Sequence, residues 1–186
     1  MSSPTPPRVR VYLGCSLDGY IAGPDDDLSW LQPPDDPTAP PADPASLGFE
    51  AFLDQVGALL MGRRTHDVVA GFGHWPYGDR PVLVATHRPL TPAAPSVRAV
   101  SGDIGALLDQ GLAAAGGRDL YVDGGDLVRQ ALRAERVDTL TLSVLPILLG
   151  GGVRLFDGDL PRQALRFTGH HDLGHGIVQI TADVKR

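Results

Sequence analysis

The fold class that this sequence predicts is α/β, with a mainly parallel central sheet flanked by helices, and three observations predict it. Short apolar runs recur at residues 58–61 (ALLM), 81–85 (PVLVA) and 120–122 (LYV), the pattern of strands buried on both faces. Amphipathic helical stretches lie between them, and strands joined through helices form parallel crossovers. After residue 139 the helical periodicity stops, and extended segments separated by glycines predict a closing antiparallel hairpin.

Each element has a local reason. Residues 1–7 (MSSPTPP) lack an apolar pattern and read as a disordered tail before a single domain at 8–186. Residues 9–15 (VRVYLGC) have strand composition. Residues 32–46 hold six prolines and read as a surface loop. A helix is expected over 47–56, where apolar residues at 49, 52, 53 and 56 share a face. Asp103 is placed to cap a helix reaching about residue 114, and Asp126 to cap LVRQALRAE, whose Leu127, Val128, Ala131 and Leu132 form one stripe. Residues 139–144 (TLTLSV) alternate as a strand with unlike faces does. LPILLGGGVRLF (145–156) reads as extended, its glycines turning a hairpin, and residues 164–184 continue in the same manner.

Bulk properties exclude several classes. A net charge of −6 argues against nucleic-acid binding, which needs a basic face. The single cysteine excludes an internal disulfide and thiolate zinc sites. No apolar run approaches the ~20 residues of a membrane helix, and the start lacks a signal core. A cytoplasmic protein acting on a small molecule is expected.

Four stretches place glycine beside polar groups. In SLDGYIAGPDDDLSWL (16–31), Gly19 and Gly23 let backbone lie close to a flat ligand, though a tight turn with Asp25, Asp26 and Asp27 capping a short helix is the simpler alternative. In LLMGRRTHDVV (59–69), a strand reaches Gly62 and a helix then begins with Arg63, Arg64 and Thr65. Arginines there oppose the helix dipole, a conflict that a bound anion removes, unless both side chains simply point to solvent. VLVATHRPL (82–90) ends a strand in Thr86, His87 and Arg88, where ligands of open α/β sheets collect, or where a loop is merely solvated. In LYVDGGDLVRQAL (120–132), Asp123, Gly124 and Gly125 separate a strand from a helix, a setting for pyrophosphate on helix N–H groups. Together the three strand ends predict a dinucleotide with an additional phosphate. The histidines of HHDLGH (170–175) invite a metal reading, but neighbouring strand residues point to opposite faces and surface histidines are expected, with no metal site.

In this order, those stretches together with LPILLGGGVRLF resemble the dihydrofolate-reductase-like superfamily, in the reductase branch named for the C-terminal domain of the riboflavin-biosynthesis protein RibD. The resemblance covers residues 8–184. It implies an NADPH-dependent reductase. Gly62, Arg63, Arg64 and Thr65 would bind cofactor phosphates, Thr86, His87 and Arg88 would lie near the 2′-phosphate, and Gly124, Gly125, Asp126 and Leu127, with Asp123 beside them, would hold the pyrophosphate. Ser16, Ile21 and Ala22 would line the nicotinamide, and Asp18, Asp27 and Trp30 would face substrate as the catalytic group. The resemblance also allows a homodimer. The zinc-deaminase half of the bifunctional enzyme is absent, since its H-x-E…P-C-x-x-C pattern needs more than one cysteine. His66 stands where relatives often have an aromatic residue. The expected activity is hydride transfer to a small heterocyclic (pteridine- or pyrimidine-like) or carbonyl substrate. The rival expectation is a non-catalytic dinucleotide-binding protein or sensor on the same fold.

Overall fold

The computed structural model describes residues 6–32 and 36–185. Residues 1–5 of the expected tail, and 33–35 of the proline-rich loop, lie outside the described residues. Strand β1 spans Val9–Ser16, and β2 spans Tyr20–Ala22. Helix α1 (Phe49–Leu53) leads into β3 (Val56–Gly62), α2 (Arg63–Ala70), β4 (Val82–Ala85) and β5 (Val97–Val100). Then come α3 (Ile104–Ala114), β6 (Asp119–Asp123), α4 (Gly125–Arg133) and β7 (Thr139–Leu145). The chain finishes with β8 (Val153–Arg154), β9 (Leu165–Asp172) and β10 (Val178–Val184).

Eight strands form one sheet in the order β5-β4-β3-β6-β1-β7-β10-β9. The pairings from β5 through β7 are parallel, while β10 runs antiparallel to β7 and to β9. This is the mixed, mainly parallel sheet with a C-terminal hairpin that the sequence predicts.

The central strands β4, β3 and β6 are buried on both faces. On one, α3 and α4 cover Val11, Leu60, Leu120 and Val122, with Leu127, Val128, Ala131 and Leu132 of α4 packed inward. Each such leucine contributes about 1.5–3 kcal/mol when it leaves water. On the other face Phe52, Leu59, Met61 and Tyr121 cluster with Val69 and Tyr77. His66 is buried in α2, its ring centroid 6.1 Å from that of Trp75, so it fills the space of an aromatic residue.

Several local expectations are corrected. The helix expected over 47–56 is one turn long, because Val56 already belongs to β3. Asp103 caps α3 as expected, accepting the N–H of Ala106 at 2.9 Å. Asp126 does not cap α4. Gly124 occupies the cap, and Asp126 sits in the first turn accepting from Gln130 Nε2 at 2.8 Å. The glycines at 150–152 do not turn a hairpin between neighbouring segments. They deliver β8 to pair antiparallel with the distant β2. Strands β2 and β5 are four residues or shorter and had no readable pattern, and β8 is a two-residue part of the extended stretch expected at 145–156.

Candidate functional site

The carboxyl ends of β3, β4 and β6 and the starts of α2 and α4 open into a cavity of about 730 Å³. Parallel strands deliver all three ends to the same edge of the sheet, and the crossovers leave helix N–H groups unpaired there. Gly62, Arg63, Arg64 and Thr65 line the cavity from α2, and Thr86 and His87 from the turn after β4. Asp123, Gly124, Gly125, Asp126 and Leu127 line it from the β6–α4 junction, and Ile21 and Ala22 from β2.

These segments touch one another. Gly124 has φ +92, and a Cβ there would run into Thr65 Oγ1. The two helix starts are therefore packed as one surface. Arg63 donates to Asp67 at 2.8 Å on its own helix and to the carbonyl of Pro89 at 2.6 Å, which ties α2 to the turn after β4. In that turn Thr86 Oγ1 accepts the N–H of Arg88 at 3.0 Å. Arg64 reaches the other wall, where its Nε lies 2.7 Å from the carboxylate of Asp26.

Beyond this cationic edge the cavity is aromatic. Tyr12 stacks on Phe52 with centroids 4.6 Å apart, and Phe52 meets Tyr121 edge to face at 5.1 Å. The hydroxyl of Tyr121 donates to the carbonyl of Tyr12, and that of Tyr12 to the carbonyl of Leu47, both at 2.8 Å. Against this wall stands Asp123, 7% exposed. Desolvation pushes its carboxyl up to about 6, although the N–H of Gly124 and the hydroxyl of Tyr77, 3.3 Å away, favour the ionised form. Burial in turn pushes the Tyr77 hydroxyl far up, with the adjacent carboxylate adding to it. Asp123 thus combines cavity access with a proton held near neutrality.

Five predicted residues lie outside the cavity lining. Ser16 is buried, donating to Asp18 at 2.6 Å and accepting the N–H of Tyr20 at 2.9 Å. Asp18 also accepts the N–H groups of Leu149 and Gly150 at 3.1 and 2.8 Å. The Ser16 hydroxyl first, and then these amides, hold its carboxyl down at about 2. Such a group clamps the 147–150 loop and carries no proton to donate at neutral pH. Asp27 accepts the Ser29 N–H at 3.0 Å, and its carbonyl accepts Trp30 Nε1 at 3.0 Å, so both residues serve the turn. The Ser29 N–H keeps the Asp27 carboxyl below its ordinary value. Arg88 is exposed and does not line the cavity.

Other lining residues were not singled out in the sequence. Tyr12 and Gly14 alternate on one face of β1, as Tyr121 and Asp123 do on β6, a signal that period-two reading of buried strands offers. Tyr77 comes from an irregular loop, and Arg129 from the second turn of α4. Neither carries a local signature.

The RibD C-terminal domain model matches residues 7–179. The chain belongs to the RibD C-terminal domain family. YwjB of Bacillus subtilis is 27% identical over 172 residues, spanning 91% of this chain and 94% of its own. A putative riboflavin biosynthesis protein from Shewanella sp. PV-4 has 31% identity and a TM-score of 0.80, over 96% of this chain and 99% of that one. Dihydrofolate reductase from Enterococcus faecalis, in its complex with NADP(H), superposes with a TM-score of 0.60 at 16% identity over 96% and 97% of the chains. This RibD C-terminal domain protein accordingly has the dihydrofolate-reductase-like fold.

Proposed function

We propose that this protein is an NADPH-dependent oxidoreductase that transfers a hydride to a small heterocyclic (pteridine- or pyrimidine-like) or carbonyl substrate. The observation that carries the reading is the junction within one cavity of a cationic, glycine-cornered edge and a buried carboxyl against aromatic rings. The residues fit the cofactor. The cradle at Gly124 would be filled by any Cβ, the starts of α2 and α4 offer backbone donors, and Arg63 and Arg64 supply charge for phosphates. When bound, the nicotinamide supplies the hydride. The chain's own part would be to exclude water from the aromatic side of the cavity, at Tyr12 and Tyr121, and to give up a proton from Asp123 to the substrate atom that gains electron density.

NADPH titration followed by melting temperature tests the first half. No shift would remove the basis of the reading. A shift without NADPH oxidation on pterin, quinone or aminopyrimidine substrates would favour the non-catalytic sensor. Arg64→Ala is expected to weaken NADPH binding about tenfold while NADH changes much less, consistent with loss of one charged contact. Equal losses would show that Arg64 does not read the 2′-phosphate.

A further inference from the structure

Both cations at the start of α2 are already engaged, but by partners of different kinds. Those of Arg63, Asp67 and the Pro89 carbonyl, belong to its own helix and the adjoining turn. The partner of Arg64 is Asp26, 38 residues away on the facing wall, with carboxylate oxygens 2.7 and 2.8 Å from Nε. Both residues of this pair line the cavity, and the Arg64 side chain is still 67% exposed.

The turn that presents Asp26 is conformationally unusual. Asp25 and Asp26 have φ +56 and +61, two successive non-glycine residues in the left-handed region. Aspartate tolerates that region better than most residues but seldom occupies it twice in succession. The turn is closed by the Gly23 N–H donating to the Asp27 carbonyl at 2.8 Å, so the Asp26 carboxylate is held out toward Arg64.

We infer that Asp26 is a built-in competitor for the phosphate site: its carboxylate occupies Arg64 until a ligand phosphate displaces it, so the residue filters ligands by the strength of their anion. This rests on the NADPH reading above. A phosphate reaching Arg64 also gains the unpaired N–H groups of α2 and brings more negative charge to the guanidinium, which a single carboxylate on a strained turn cannot match. A weakly anionic ligand has no means of freeing the arginine.

The test is a double-mutant cycle on NADPH dissociation constants, with NADPH itself as the probe. Asp26→Asn removes the charge while retaining a residue that accepts left-handed backbone, so folding is preserved. It is expected to tighten NADPH binding about two- to fivefold, the scale of a partly exposed ion pair. In an Arg64→Ala background the same change is expected to produce no tightening. Weaker binding in Asp26→Asn would overturn the inference, showing that Asp26 instead holds Arg64 in place for the phosphate. Equal tightening in both backgrounds would also overturn it, as a general effect of removing negative charge. Failure of the unsubstituted protein to bind NADPH would reject the functional reading itself and is seen before any variant is made.

Discussion

Replacing Asp123 by Asn is expected to lower kcat about 10²–10⁴-fold, the usual contribution of a positioned general acid, while leaving NADPH binding near its original strength. The side chain keeps its size and its place opposite Tyr77, so the cavity is retained and only the proton is lost. The pH dependence has a defined sign. Burial pushes the carboxyl up to about 6 from an ordinary value of 3.8, and the proposed proton transfer requires the protonated form. Activity of the unsubstituted protein should therefore fall as pH rises through about 6, and the Asn variant should lack that limb. Stability moves in parallel. Because folding favours the protonated acid, its stabilising contribution is full below the unfolded value near 3.8 and is lost as pH rises through about 6. The difference corresponds to about 3 kcal/mol. Melting curves from pH 4 to 8 should show the Asn variant gaining on the parent as pH rises. A constant difference across that range would show that Asp123 does not carry the raised proton affinity.

The fold was legible wherever one segment decides its own fate. Residues 58–61 and 120–122 are buried on both faces, so an unbroken apolar run sufficed to mark β3 and β6. Asp103 caps α3 through its own backbone neighbour, Ala106, again a local event. Strand β5 was not legible, because Arg98 and Ala99 are exposed and the run VRAV looks like loop. Strands β2 and β8 exist only through each other, across 130 residues.

The candidate site divides along the same line. Its phosphate-facing edge was readable because glycine and helix start are adjacent in sequence at Gly62–Arg64, where two arginines follow the glycine, and at Gly124–Leu127. Its acid was not. Asp18, Asp27 and Asp123 are equivalent in sequence, and what separates them is non-local. Amides 131 and 132 positions away, with the Ser16 hydroxyl, keep Asp18 ionised. Burial against the aromatic wall desolvates Asp123 and outweighs the hydroxyl of Tyr77, 46 positions away. The residue expected beside the pyrophosphate points instead to the aromatic side, because β6 alternates and places Asp123 on the face of Tyr121.

Gly124→Ala should damage fold and site together, and its cause can be separated into two parts. The position has φ +92, outside the comfortable range of any L side chain, and the new methyl would collide with Thr65 Oγ1. Backbone strain of this kind costs about 1–3 kcal/mol, and an overpacked contact adds about 1–3 kcal/mol more. A loss of about 2–6 kcal/mol is therefore expected in denaturant unfolding, together with loss of NADPH binding as α2 and α4 are pushed apart. Adding Thr65→Ala removes the hydroxyl that collides but cannot change φ. The double variant should recover roughly the packing half of the stability and none of the strain. Binding should return only in part, because the double variant also lacks the Thr65 hydroxyl, a donor in the proposed phosphate cradle. Full recovery of stability would show that Gly124 is required for space alone. No recovery would show that its left-handed backbone is what joins the strand end to the helix.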